Sequence, residues 1–275
     1  MVDYHVHPDF SHDAAGSVED YCRRALEIGL KELCFTTHFE PDPVRRDTEW
    51  VVVEDRKVSP VSDWPAAYFA AIERARASFP SLSILAGVEV GFEPELEPAI
   101  RRFLGRYRFD FVLGAVHCID HVAFTAGSEL DAAVAAFGPD QHGFCRHYHA
   151  NLRAAAGSGL FDCLAHLDIY RKYLGKAFGE GFLADCAAGF PETLAHIART
   201  KTGIEVNTSA LRRGEDEPYP CRAILAQAFA AGVRRFTVGS DAHRVPDVGT
   251  GIDRAVKLLA EVGATSARFP RRAGR

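Results

Sequence analysis

Seven times along its 275 residues the chain repeats one pattern: a short run rich in Val, Ile, Leu and Phe, then loop residues, then a longer stretch whose apolar residues fall three and four apart. The short runs cover residues 2–6, 32–37, 83–90, 111–116, 162–167, 203–207 and 235–239. They are continuously apolar rather than alternating, which suits strands covered on both faces, as in a parallel sheet. The stretches between them predict helices near 18–28, 65–78, 93–106, 140–158, 182–200, 220–231 and 248–262. Ser17 followed by Asp20 is a capping-box pattern at the start of the first. Strand then helix, seven times over, predicts an α/β fold, either a parallel (βα) barrel or a doubly wound sheet. No linker or shift in composition divides the chain, so residues 1–265 are expected to form one domain. The basic stretch at the end of 266–275 is expected to be a frayed tail.

How the runs end is the second constraint. The first ends with His5 and His7, the second with His38, the third with Glu89 and the fourth with His117. The fifth ends with His166 and Asp168, the sixth with Asn207, and the seventh with Asp241 and His243. In a parallel barrel all strand ends converge on one mouth. The i, i+2 spacing of His5 and His7, and of Asp241 and His243, places both members of each pair on one face of an extended strand. Neutral imidazole nitrogen and carboxylate oxygen are the common ligands of Zn, Fe and Mn, so such a mouth is expected to hold divalent metal. Without metal, so many ionisable groups in one layer are poorly compensated. Asp13, in the loop after the first run, reaches the same mouth, with its neighbour His12 as the competing ligand. His121, His142, His147, His149 and His196 fall in loops or helices and read as surface or packing residues.

Three stretches, 40–64, 118–140 and 171–183, follow runs directly and are expected at the rim, where loops build active sites. A net charge of −5 gives no reason to expect nucleic-acid or membrane binding. The start MVDYHVH carries no secretory signal and no run approaches a membrane span, so the cytoplasm is the expected compartment. Seven scattered cysteines without CxxC read as reduced, mostly buried thiols, with Cys118 in the core.

The set His5, His7 and Asp13, His38 in TTHFE, Glu89 in GVEVGFEPE, His117 in LGAVHCID, His166 in AHLD, and Asp241 and His243 in GSDAH resembles the polymerase and histidinol phosphatase (PHP) superfamily of metal-dependent phosphoesterases. AHLDIYRKY, GIEVNTSALRRG with EPYP, and GSDAHRVPDVG resemble its histidinol-phosphatase branch. Amidohydrolases share a barrel and an HxH start, but the GSDAH ending fits PHP better, and no lysine for carbamylation stands at a strand end. The resemblance implies a distorted seven-stranded (βα) barrel and a trinuclear site of two to three divalent ions (Zn, Fe or Mn). His5, His7, Glu89 and Asp241 would hold one ion. Glu89 would share a second with His117 and His166, and Asp13, His38 and His243 would hold the third. Many histidinol phosphatases carry histidine where this chain has Asp13, a harder ligand that favours manganese or iron.

The implied activity is hydrolysis of a small phosphate monoester, L-histidinol phosphate first, by a metal-bridging hydroxide, with Asp241, His243 and Glu89 as the catalytic set. The phosphate needs cations at the rim: Arg171 and Arg212 are the preferred clamps, with Lys172 and Arg213 behind them. Glu40, Asp42, Asp168 and Tyr219 lie in loops suited to an amine and an imidazole, and Asn207 is expected to orient a ligand or the substrate. The alternatives are a phosphoesterase acting on nucleotides or oligonucleotide ends, and a non-catalytic metal-binding module.

Overall fold

The computed structural model describes residues 1–269. Seven parallel strands, β1 (Val2–Val6), β2 (Glu32–Phe39), β3 (Ser83–Gly91), β4 (Phe111–Ala115), β5 (Cys163–Leu164), β6 (Gly203–Asn207) and β7 (Phe236–Gly239), form one sheet in chain order. Its edges meet just beyond β7: the Asp241 amide donates to the His5 carbonyl at 2.7 Å and the His7 amide to the Ala242 carbonyl at 2.8 Å. Asp3, wholly buried, pins that closure by accepting from the amides of Ser240 (2.8 Å) and Gly249 (3.0 Å). The result is a seven-stranded, nearly closed barrel, one of the two folds the alternation allows and the one the family resemblance implies.

Helices α1 (Val18–Glu27), α2 (Trp64–Ser78), α3 (Glu97–Arg106), α4 (Leu130–Phe137), α5 (Gln141–Gly157), α6 (Leu174–Phe178), α7 (Glu180–Ala188), α8 (Phe190–Thr200), α9 (Ser209–Arg212), α10 (Arg222–Ala230) and α11 (Ile252–Glu261) complete the chain. α1 shows how the sequence sets an element. Ser17 and Asp20 cap it reciprocally, which is worth about 0.5–2 kcal/mol, and Val18, Tyr21, Cys22 and Ala25 form its buried face. The single helix expected over 182–200 is instead the end of α7 and all of α8. Gly189 passes so close to the His149 ring that an added Cβ would lie 2.2 Å from it, and Pro191 starts the new helix. Two antiparallel ribbons, Val51–Val53 with Arg56–Val58 and Cys118–Ile119 with Val122–Ala123, lie in the excursions after β2 and β4.

Two expectations are corrected. Cys145 in α5 and Cys186 in α7, with Cα atoms 4.8 Å apart, form a disulfide, because helix packing joins residues 41 apart in sequence. Nor do residues 266–269 fray: the Ala267 amide donates to the Phe236 carbonyl, and Phe269 packs on Tyr4 and Phe111 at the end of the barrel opposite the mouth. The rest of the expected tail, 270–275, lies outside the described residues. No helix among the described residues is long and apolar enough to cross a membrane.

Candidate metal centre at the barrel mouth

The strand ends bring all nine expected ligands together. His38 in β2 stands directly opposite Glu89 in β3 in the sheet register, and the closure places His5 and His7 against Asp241. His5 Nε2 and His7 Nε2 face each other at 2.9 Å, and each lies 3.3–3.6 Å from Glu89 Oε2 and Asp241 Oδ1. The other Glu89 oxygen, Oε1, sits 3.0 Å from His166 Nε2 and 3.4 Å from His117 Nε2. A third group joins His38 Nε2 and His243 Nε2, 3.4 Å apart, to the Asp13 carboxylate at 3.7 and 3.2 Å. Glu89 therefore divides its two oxygens between neighbouring groups of imidazoles. Asp13 faces this cluster, whereas the His12 ring packs on Trp50.

Charge governs the cluster. Burial pulls the His5 imidazole down, but the carboxylates of Glu205, Glu89 and Asp241 outweigh it and hold its pKa well above the ordinary value. His7 moves the other way, pushed well below by burial and then by His38 and His243. Burial opposes ionisation of Glu89 and Asp241, yet the surrounding imidazoles hold both carboxyls well below the usual range. His117 is pushed up to about 10 against burial by Glu89 and Glu40. Ring nitrogens paired nose to nose between ionised carboxylates are a donor set for divalent cations, which replace the protons such a layer otherwise needs.

Backbone strain accompanies the site. His166 (φ +28°) and Asp241 (φ +55°) occupy the left-handed region, at a cost of about 1–3 kcal/mol each. Glu205 Oε2 accepts from the His166 amide at 3.1 Å, and Arg212 donates to the carbonyls of Ser240 and Asp241, so both turns are held from behind.

The residues behind the ligands were only partly foreseen. Glu205 is fully buried and meets His5 Nδ1 at 2.6 Å, fixing which ring nitrogen faces the mouth. Its only signal in the sequence is a glutamate inside the apolar run GIEVN, on the same strand face as Asn207. Asn207 does orient its neighbours, donating to Glu205 and Asp241 and accepting from Ser209. Glu40 serves His117 Nδ1 at 2.7 Å rather than standing free for substrate. Of the other residues expected to receive an amine or imidazole, Asp42 contacts His121, Asp168 pairs with Arg171, and Tyr219 bonds to Glu215 and Arg213.

The mouth opens into a cavity of about 770 Å³ whose walls come from the three excursions and include Glu49, Trp50, Lys172 and Tyr173. The preferred clamps do not line it. Arg171 spends its guanidinium on Asp168 (2.9 Å), the Pro218 carbonyl (3.0 Å) and Glu215 (3.4 Å), and Arg212 on the Ser240 and Asp241 carbonyls. Lys172, the weaker candidate by sequence, is the one whose side chain faces the cavity, its Nζ donating to the Thr125 carbonyl at 3.0 Å. Cys118 is buried as expected but touches the cavity wall.

Residues 3–209 match the PHP domain family. The chain is 30% identical over 278 residues to a probable histidinol-phosphatase of Deinococcus radiodurans, covering 99% of this chain and 97% of that protein. It is 25% identical to a probable histidinol-phosphatase of Clostridium acetobutylicum, covering 99% and 98%. Among solved structures, its fold is similar to histidinol phosphate phosphatase of Lactococcus lactis complexed with zinc, L-histidinol and phosphate. The TM-score is 0.78 at 22% identity, covering 98% of this chain and 96% of that one.

Proposed function

The chain belongs to the PHP domain family, and on that premise we propose that it is a metal-dependent phosphomonoesterase that hydrolyses L-histidinol phosphate to L-histidinol and phosphate. The observation that carries the reading is the division of Glu89, one oxygen toward His5 and His7 and the other toward His117 and His166. Likeness over nearly the full length to probable histidinol-phosphatases supports the choice of substrate.

Two to three divalent ions of zinc, iron or manganese would be held by His5, His7 and Asp241 with Glu89 beside them, by Glu89, His117 and His166, and by Asp13, His38 and His243, with His7 close to the last pair. Bound there, such ions would activate water near neutral pH and polarise the ester's phosphoryl oxygens. The chain supplies the rest. Glu205 and Glu40 hold the Nδ1 atoms of His5 and His117, so that their Nε2 atoms face the mouth. Asp241 and His243 line the cavity, and His243 Nδ1 donates to the Asp241 backbone carbonyl at 3.1 Å, which turns its Nε2 toward Asp13; bound water would supply the proton for the leaving alkoxide. Lys172 brings a positive charge to the phosphate dianion, while Arg171 and Arg212 hold the walls behind it. Trp50 gives the cavity an aromatic side suited to an imidazole, and Glu49, already paired with Arg45, lies beside it.

The test is phosphate release from a panel of esters, with Mn, Zn and Fe added separately. Histidinol phosphate should turn over much faster than AMP. The reverse order would move the reading to nucleotides, and folded wild-type protein that retains no divalent ion would overturn it.

A further inference from the structure

Beside the mouth, and outside its nine residues, Asp42, Glu93 and His121 bring one ligand atom each to within 4.8 Å of one another. Asp42 lies in the loop after β2, Glu93 just past β3, and His121 in the tight turn of the ribbon after β4. Both carboxylates are buried, at 5% and 3% exposure. His121 Nδ1 is 2.8 Å from Asp42 Oδ2 and 3.8 Å from Glu93 Oε2. Asp42 Oδ1 accepts from the Val44 amide and Glu93 Oε1 from the His121 amide, but the buried Glu93 Oε2 has no hydrogen-bond partner and faces the imidazole. Arg45 donates to the His121 carbonyl, yet its ion pairs are with Glu49 and Glu129. Two buried carboxylates thus share a single imidazole as their cationic partner among the described residues.

A buried carboxylate oxygen left without a partner is costly. We propose that Asp42, Glu93 and His121 bind a further divalent ion of the zinc and manganese class, separate from the catalytic centre. One imidazole nitrogen and two carboxylates form a three-ligand set of the kind such ions take, completed by solvent. Its place gives it a use. The segments after β2, β3 and β4 that supply it also carry Glu40, Glu89 and His117, and Glu40 orients His117 from a position two residues before Asp42. An ion there ties the three segments together and holds that part of the mouth in register.

The competing occupant is a proton: the hydrogen bond His121 donates to the Asp42 carboxylate, against slight desolvation, already moves the His121 pKa up. The two are separated by counting ions. Wild-type protein, Glu93→Gln and His121→Ala are equilibrated with zinc at a buffered free concentration and their ion content per chain is measured by mass spectrometry, then again with manganese. Each variant is expected to hold about one ion fewer than wild type, and the double variant no fewer than either single one. Equal content in folded wild type and variants overturns the site and leaves His121 as a protonated partner. The His121 side chain is 37% exposed, so its replacement decides the matter even if Glu93→Gln fails to fold. The count does not depend on which ester the enzyme hydrolyses.

Discussion

Replacing Glu205 by Gln isolates the carboxylate that stands behind the metal centre. Its Oε1 meets His5 Nδ1 at 2.6 Å, and its Oε2 accepts from the His166 amide at 3.1 Å and from Asn207 Nδ2 at 3.2 Å. Every partner on the Oε2 side is a donor, and His5 needs an acceptor at Nδ1 to leave Nε2 free for an ion. An amide NH2 on either side therefore sets donor against donor. The lost hydrogen bond to a charged acceptor is worth about 1.5–3 kcal/mol. Removing such a support from a ligating histidine weakens metal binding about 10–100-fold, or about 1.4–2.7 kcal/mol. The two figures agree, and because Gln has nearly the same volume the loss should fall on ion affinity rather than on packing. The assay is phosphate release from histidinol phosphate against free zinc or manganese set by a metal buffer. The midpoint is expected to move about 10–100-fold toward higher ion concentration, with most activity recovered at saturation. A folded variant whose midpoint stays within about twofold of wild type, an affinity change of roughly 0.4 kcal/mol, would refute the role assigned to Glu205.

Lys172→Ala should raise KM for histidinol phosphate about tenfold without changing ion content, since only uniform binding of the phosphate is lost; an unmoved KM would take Lys172 away from the substrate. Arg171→Ala leaves the fully buried Asp168 without its ion pair and should cost about 3–5 kcal/mol in urea unfolding, with ion content intact. A loss below about 1 kcal/mol would mean that the pair contributes no more than an exposed one. Burial pushes the Cys22 thiol up to about 12 and the Cys221 thiol up to about 11, from an ordinary value near 9. The folded state therefore favours the neutral thiols, so their contribution is present below pH 9 and lost as the pH rises through 11 to 12. Stability should fall across that window less steeply in a Cys22→Ala, Cys221→Ala variant, and equal slopes would contradict this. Thiol titration of the unfolded, unreduced chain should find five reactive groups, rising to seven after reduction; seven before reduction would mean that the Cys145–Cys186 bond is absent.

Much of the site was legible because the relevant information is local. The apolar runs mark the strands, and a parallel barrel has one geometric consequence for whatever ends them: His5, His38, Glu89, His117 and Asp241 must meet. The supporting shell was not legible, since nothing near His5 in the sequence points to a glutamate 200 residues away. Which rim cation lines the cavity was hidden for a related reason. Arg171 and Lys172 are adjacent, yet one guanidinium is consumed by Asp168 and Pro218 while the neighbouring amine faces the cavity.

By itself the sequence determined seven strands alternating with helices and the polar side chains that end them, because periodicity and strand ends are properties of short segments; the choice of a barrel over a doubly wound sheet rested on the family resemblance. Only the tertiary structure decided which acid orients which histidine, which of Arg171 and Lys172 lines the cavity, that Cys145 meets Cys186, and that Asp42, Glu93 and His121 form a cluster of their own. Those choices depend on which side chains compete for the same few ångströms once distant segments pack, and spacing along the chain carries no record of that competition.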